Sequence, residues 1–288
     1  MVDIIHGATG AQGSPVLSAL TAAGRTAIAV VRHPEAVPDG IAAREVDLAS
    51  ADSLASAYEG ADGVFVHLPM GAPETAAAQA RAVVEAVTRA RPGRVVISTS
   101  GQIVDRPDSP LQATAGSPIM TLIDGVTGSG IPTAVVAPRL YLENLLLPVV
   151  LAPAHQEGVL RYPLPASFPV SWSSHLDVAE VVARLLTDAS PTTGTVGVGH
   201  LPGLTGPDLA AAFSSRLGRE VRFESITPEA FGELITPFFG PAAAPVVNLY
   251  RALNAQDGNT IAEDSSAQEI LRLQPRSIGR WLEDLAVS

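Results

Sequence analysis

Residues 2 to 13 read Val-Asp-Ile-Ile-His-Gly-Ala-Thr-Gly-Ala-Gln-Gly, with glycines at 7, 10 and 13. Val2 to His6 is mostly β-branched or apolar and bounded by glycine, which predicts a buried strand. Pro15 to Ala23 predicts a helix, with Pro15 in its first turn, where a missing N–H costs little. A strand that turns through glycines into a helix brings free backbone N–H groups and a positive dipole end to one point. At this spacing the anion that fits is a pyrophosphate. Gly7 would allow the tight turn, Gly10 close approach of the backbone to phosphate, and Gly13 close packing of helix on strand. Thr9, Ala11 and Gln12 complete the expected phosphate-side contacts. The plain alternative is a glycine-rich turn that holds nothing; its place at the N-terminus and the alternating strands and helices after it favour a dinucleotide.

About twenty residues on, Arg32 ends the second apolar run. A carboxylate at that strand end suits a ribose 2′-hydroxyl, whereas an arginine suits a 2′-phosphate. Glu35 is close but follows Pro34, too far round the turn. Arg32 is therefore expected to select NADP(H), the alternative being a solvated strand-end residue. Ser98-Thr99-Ser100 ends the fifth strand, and hydroxyls there can orient a carboxamide or a substrate oxygen, or simply satisfy backbone groups. The six histidines show no H-x-x-x-H or H-E-x-x-H spacing, so no metal is expected. No Gly-x-Ser-x-Gly elbow appears, which disfavours a hydrolase.

These residues need elements to hold them. The chain of 288 residues is 47% hydrophobic and 16% charged, enough to bury a large core. Its net charge of −11 repels phosphate backbones and argues against direct nucleic-acid binding. There is no cysteine, hence no thiolate chemistry, and all 18 basic residues are arginine. The most apolar segment, Thr133 to Ala154, is interrupted by Arg139, Glu143 and three prolines, so no membrane span is expected, and the default location is cytoplasmic. Short apolar runs at 26–31, 41–46, 63–68, 94–98 and 133–137 alternate with helical stretches at 52–58, 73–91 and 118–128. That pattern describes a parallel sheet covered on both faces. Beyond Pro148 the pattern loosens. Residues 148–169 read as loop with an extended piece at 159–162, followed by helices near 177–187, 205–217, 228–235 and 242–254.

The ensemble resembles the NmrA-like branch of the atypical short-chain dehydrogenases. The resemblance rests on Gly7-Ala8-Thr9-Gly10-Ala11-Gln12-Gly13, Val31-Arg32, Asp47-Leu48 with Ser53-Leu54, Leu68-Pro69, Ser129-Gly130-Ile131, the run from Pro138-Arg139 to Asn144, and His175-Leu176-Asp177-Val178-Ala179. It implies a doubly wound, mostly parallel Rossmann-type α/β sheet over residues 1–151. A smaller C-terminal α+β substrate-side lobe would follow over residues 152–288, packed as one unit with it. It also implies that Asp47 and Leu48 lie along the adenine, and that Leu68 and Pro69 pass the adenosine ribose. Without the resemblance, Asp47 is a cap and Leu68-Pro69 a strand stop.

Short-chain dehydrogenases normally protonate substrate with a tyrosine whose pKa is lowered by a lysine four residues on. This chain has no lysine, and where the family's lysine helix should begin it reads Ser117-Pro118-Ile119-Met120-Thr121. Ser98 and Tyr141 are the remaining catalytic candidates, with Ser98 and Thr99 also placed against the cofactor. The expected function is NADPH-dependent reduction of a small apolar quinone or conjugated carbonyl, which needs no strong enzyme acid. The alternative is an NADP(H)-binding redox sensor without turnover, acting through a protein partner; a homodimer is compatible with either. An apolar wall of Leu160, Tyr162, Phe168, Trp172, Phe238 and Phe239 would favour the enzyme.

Overall fold

The computed structural model describes residues 1 to 287. In chain order the elements are β1 (Val2–His6), α1 (Gly13–Ala22), β2 (Thr26–Val31), β3 (Ala42–Glu45), α2 (Ala51–Tyr58), β4 (Gly63–His67), α3 (Pro73–Ala90), β5 (Val95–Ser98), α4 (Pro118–Gly128), β6 (Thr133–Pro138), α5 (Pro148–Gln156), β7 (Val159–Tyr162), α6 (His175–Thr187), β8 (Gly194–Val198), α7 (Gly206–Leu217), β9 (Arg222–Ser225), α8 (Pro228–Phe239), α9 (Ala243–Asn254), α10 (Ala267–Leu271) and α11 (Ile278–Asp284).

The chain divides into two compact units, each drawn from several segments. The first comprises Met1–Pro138, His175–Gly197 and Asp264–Leu273; the second comprises Arg139–Ser174, Val198–Glu263 and Gln274–Ser288. Both α6 and nearly all of β8 thus belong with the N-terminal strands rather than with a lobe beginning at residue 152.

In the first unit, seven strands form one sheet in the order β3-β2-β1-β4-β5-β6-β8. The pairings from β3 through β6 are parallel. The order reverses between β1 and β4, and in open α/β sheets that reversal opens a crevice at the carboxyl ends of the strands. Because side chains alternate along a strand, Ile4, Val64, Val66, Val95 and Ile97 pack in one cluster with Leu54, Tyr58, Val83, Val87, Leu122 and Val126 of α2, α3 and α4. The alternate residues Ile5, Phe65 and Val96 are equally buried and face the side covered by α1 and α6. At the carboxyl edge, that second side carries Gly7, His67 and Ser98, His67 being the register partner of Ser98.

The second unit holds the parallel pair β7–β9, and its core is aromatic. Tyr162 makes edge-on ring contacts with Trp172 and Tyr250 at centroid distances of 5.5 Å, and Phe231 stands 5.6 Å from Tyr250. Proline count is a poor guide here. Residues 148–156, expected as loop, form α5, with Pro148 at the first helical turn and Pro153 inside. A proline at the start has no hydrogen bond to lose, and its fixed φ suits the helix. Likewise α8 runs past Ile235 to Phe239 despite Pro237. Leu160, Tyr162, Phe168 and Trp172 are core residues, whereas Phe238 and Phe239 are exposed at 63% and 39%. They do not form one wall. The apolar stretch Pro228–Asn254 has the length and mean hydropathy of a membrane span, but the chain breaks at Gly240, whose φ is +52°.

Candidate active site at the glycine turn

The turn after β1 has the geometry its glycines call for. Gly7 adopts φ +60°, the left-handed region that costs a residue with Cβ about 1–2 kcal/mol, and a Cβ there would also collide with the His67 ring. The Gly10 N–H donates to the Gly7 carbonyl at 2.8 Å, closing the turn. A Cβ on Gly13 would collide with the Gly7 and His6 carbonyls, so only glycine lets α1 start this close to β1. Gly10 differs: an added Cβ would lie 3.3 Å from the Gly7 oxygen and meet nothing else within 4 Å. Its outer face is open, with Thr9, Gly10 and Ala11 exposed. A pyrophosphate fits such a cradle, since backbone N–H groups and the N-terminal end of α1 point at a surface no side chain covers.

On the β2 side of the reversal, Arg32 is exposed, and none of the ion pairs formed among the described residues involves it. Glu35, the nearby carboxylate, pairs with His33 (Nδ1 to Oε1 3.2 Å). The guanidinium at the end of β2 is thus available to a 2′-phosphate. Val46 N–H bonds the Val31 carbonyl, which sets Asp47 and Leu48 at the end of β3 beside the end of β2. Asp47 Oδ1 accepts from the Ala49 N–H at 2.9 Å, so this side chain is a local cap as well as a ribose-side candidate. Leu48 and Leu68 are half-buried against the α2–α3 core, and Pro69 is exposed.

On the β4–β5 side the polar groups interlock. Ser98 is fully buried; its Oγ–H donates to Gln12 Oε1 at 2.8 Å, and its oxygen accepts from the Ser100 N–H at 3.2 Å. Gln12 Nε2 donates in turn to Ser100 Oγ at 3.0 Å. The Ser98 hydroxyl expected to act on substrate therefore spends its hydrogen inward. Ser100, half-buried and with φ +55°, presents the hydroxyl whose hydrogen no described residue accepts. Thr99 is also fully enclosed, its Oγ1 lacking a partner among the described residues. Tyr141 lies in the second unit, half-buried at the head of the 3-10 turn Leu142–Leu146.

Three histidines of the first unit stand by this edge, and burial keeps each neutral. His6 Nε2 and the Tyr58 hydroxyl share a hydrogen bond of 2.6 Å; burial, helped by nearby His67, lowers the His6 pKa to about 3. Burial lowers His67 as well, and its Nε2 is enclosed without a partner among the described residues. His175, the first residue of α6, is held at about 4 by burial and by His67. Sequence reasoning singles out neither His67 nor the Gln12–Ser98–Ser100 ring. The glycine spacing signals the turn, but nothing local signals a partner 86 residues away.

Comparison with known proteins agrees with this geometry. The NAD(P)H azoreductase of Xenophilus azovorans is 30% identical over 259 residues, covering 88% of this chain and 87% of its own. The fold is shared with Citrobacter sp. triphenylmethane reductase complexed with NADP(H), at TM-score 0.81, 18% identity and coverage of 98% and 99% of the two chains. It is also shared with an NADPH-dependent quinone oxidoreductase from Escherichia coli complexed with NADPH, at TM-score 0.76, 19% identity and coverage of 99% and 100%. A glycine turn of this register, a sheet reversing beside it, and a match to the NmrA-like family over residues 3–282 lead to one conclusion: the chain belongs to the NmrA-like family.

Proposed function

We propose that this protein reduces a small apolar quinone or conjugated carbonyl with NADPH in the cytoplasm. It is an NADP(H)-dependent oxidoreductase; the acceptor class is our reading, carried by one observation. An intact dinucleotide turn occurs in a chain without lysine, so no ammonium depresses the pKa of a tyrosine proton donor. When bound, the cofactor supplies hydride. The chain's own residues would cradle its pyrophosphate at Gly7 to Gly13, meet its 2′-phosphate with Arg32, and border its adenosine with Asp47, Leu48, Leu68 and Pro69. A quinone takes a hydride and then a proton from water, which makes no demand for a strong enzyme acid. The identity to an azoreductase supports a conjugated, electron-poor acceptor.

The test is a panel of quinones, enones and simple ketones followed at the nicotinamide absorbance, with NADPH binding confirmed separately. Quinones should outpace ketones, and Tyr141→Phe should lower the rate modestly at most. Robust turnover of simple ketones would sink the reading, because a strong acid must then exist. Tight NADPH binding with no turnover of any acceptor would make the protein a redox sensor instead.

A further inference from the structure

Gln12 is the residue of the glycine turn that leaves the turn. It occupies the N-cap of α1 without capping it and reaches across to the end of β5. There its amide is used from both ends, accepting from Ser98 and donating to Ser100, while Ser98 also accepts the Ser100 backbone N–H. The ring ties the phosphate turn to a strand end 86 and 88 residues away. It also has a direction. Ser98 gives its hydrogen to Gln12, Gln12 gives one to Ser100, and Ser100 is left with an oxygen already hydrogen-bonded and a hydrogen to give. Bonds aligned head to tail polarise one another, which makes the last donor stronger. Ser100 meanwhile holds a left-handed φ of +55° ahead of Gly101 at +88°, a conformation that persists only where its surroundings impose it.

We propose that Gln12 is a positioning residue for the reduction: its amide orients the Ser100 hydroxyl so that Ser100 donates to the acceptor oxygen as that oxygen gains charge. The inference rests on the reductase reading above. Hydride carries two electrons to the acceptor, NADPH becomes NADP⁺, the acceptor oxygen becomes an oxyanion, and water supplies the proton that completes the product. Ser100 keeps its hydrogen throughout and lends only a hydrogen bond.

Two substitutions test this. In Gln12→Glu the ionised carboxylate accepts only, so both serine hydrogens turn toward it and Ser100 can no longer donate outward. Its turnover of 2-methyl-1,4-benzoquinone should fall by about tenfold or more relative to wild type, toward the ~10²–10³ seen when an oxyanion donor is lost. The ratio of variant to wild-type rate should then rise as pH is lowered through the carboxyl pKa, because a protonated carboxyl donates to Ser100 again. Gln12→Met fills the space without the amide and should show the loss with no pH-dependent recovery. Calorimetry should find NADPH affinity close to wild type for the uncharged Gln12→Met, since the phosphate contacts are backbone groups. Gln12→Glu sets a carboxylate beside the pyrophosphate, so its rates are compared at saturating NADPH. Melting of the cofactor-free protein should move little for either. A flat ratio across pH for Gln12→Glu, or wild-type turnover by Gln12→Met, overturns the proposal. So does a rate loss in Gln12→Met that merely tracks lost NADPH affinity or lost stability, which would make Gln12 structural. A wild type that binds NADPH but oxidises it with none of the quinones, enones and ketones tested rejects the reductase reading itself, an outcome distinct from all of these.

Discussion

At the carboxyl edge of β1, β4 and β5 the enclosed side chains are polar and incompletely matched. His67 Nε2 and Thr99 Oγ1 lack partners among the described residues, and Gly7, Ser100 and Gly101 hold left-handed backbone. In the second unit, Tyr162 and Tyr250 are just as deeply enclosed, yet they hydrogen-bond each other through their hydroxyls, Asn144 bonds Tyr162, and aromatic rings surround both. An unmatched buried polar atom costs about 1–3 kcal/mol, whereas a matched one is nearly neutral or better. The Tyr162–Tyr250 cluster is matched throughout, whereas the strand edge leaves hydrogen-bonding capacity unmet among the described residues, as Ser173, His200 and Asn259 also do elsewhere in the second unit. Strain and unmet hydrogen-bonding capacity persist where a site needs them, and at the β1–β4–β5 edge they stand beside left-handed backbone and the glycine turn, as the proposed site requires.

Paired substitutions should separate the two regions most sharply. Gly10→Val should abolish NADPH binding in calorimetry while the melting midpoint stays near wild type, because the added side chain enters only the open phosphate face. Trp172→Ala should do the reverse, costing about 3–5 kcal/mol of stability, read from denaturant unfolding. Unchanged NADPH affinity in Gly10→Val would remove the central premise.

A smaller effect is expected from Arg32→Asp. A charge-assisted contact to the 2′-phosphate is worth roughly 1.5–3 kcal/mol, one to two orders of magnitude in affinity. The variant should therefore narrow or reverse a preference for NADPH over NADH, measured as the ratio of dissociation constants. Equal binding of both cofactors by the wild type would make the arginine an ordinary surface residue.

The third difference is in pH response. His6, His67 and His175 titrate lower when folded than in an unfolded chain. The stability tied to their neutral forms is present above the unfolded value of about 6.5. It is lost as pH falls toward the folded values, about 3 for His6 and about 4 for His175. The tyrosines act at the other end. Burial pushes Tyr250 up to about 12 and raises Tyr162. Their contribution is present below pH ~10 and is lost as pH rises through the folded values. Denaturant unfolding across pH should show an acid limb that shallows in His6→Phe and an alkaline limb that shallows in Tyr250→Phe. If each substitution flattens the opposite limb, the assignment of the two regions is wrong.

Local patterns carry most of the fold. The apolar runs that form β1, β2, β4, β5 and β6 are short and bounded by glycine or proline, and for such strands the boundary residues do the specifying. The glycine turn is legible because each glycine answers a local steric demand. The prolines of α5 mislead because a proline's meaning depends on whether it stands at the start of a helix or inside it, and composition does not say which. Ser98 resembles a catalytic hydroxyl because position on a strand is visible in sequence. The direction of its hydrogen depends on Gln12, brought there only by the packing of α1 on the sheet.

The segmented make-up of the first unit also bears on how the protein emerges from the ribosome. When Pro138 has been added, six of the seven strands exist, but α6, which packs against α1, has not been made. The last segment of the unit ends at Leu273. At ~5–20 residues per second, the nascent chain carries the α6-facing side of α1 without its cover for a time on the order of ten seconds. A fragment ended near residue 150 would keep that uncovered face permanently, so aggregation during expression of such a fragment would reflect the missing helix rather than an unstable glycine turn.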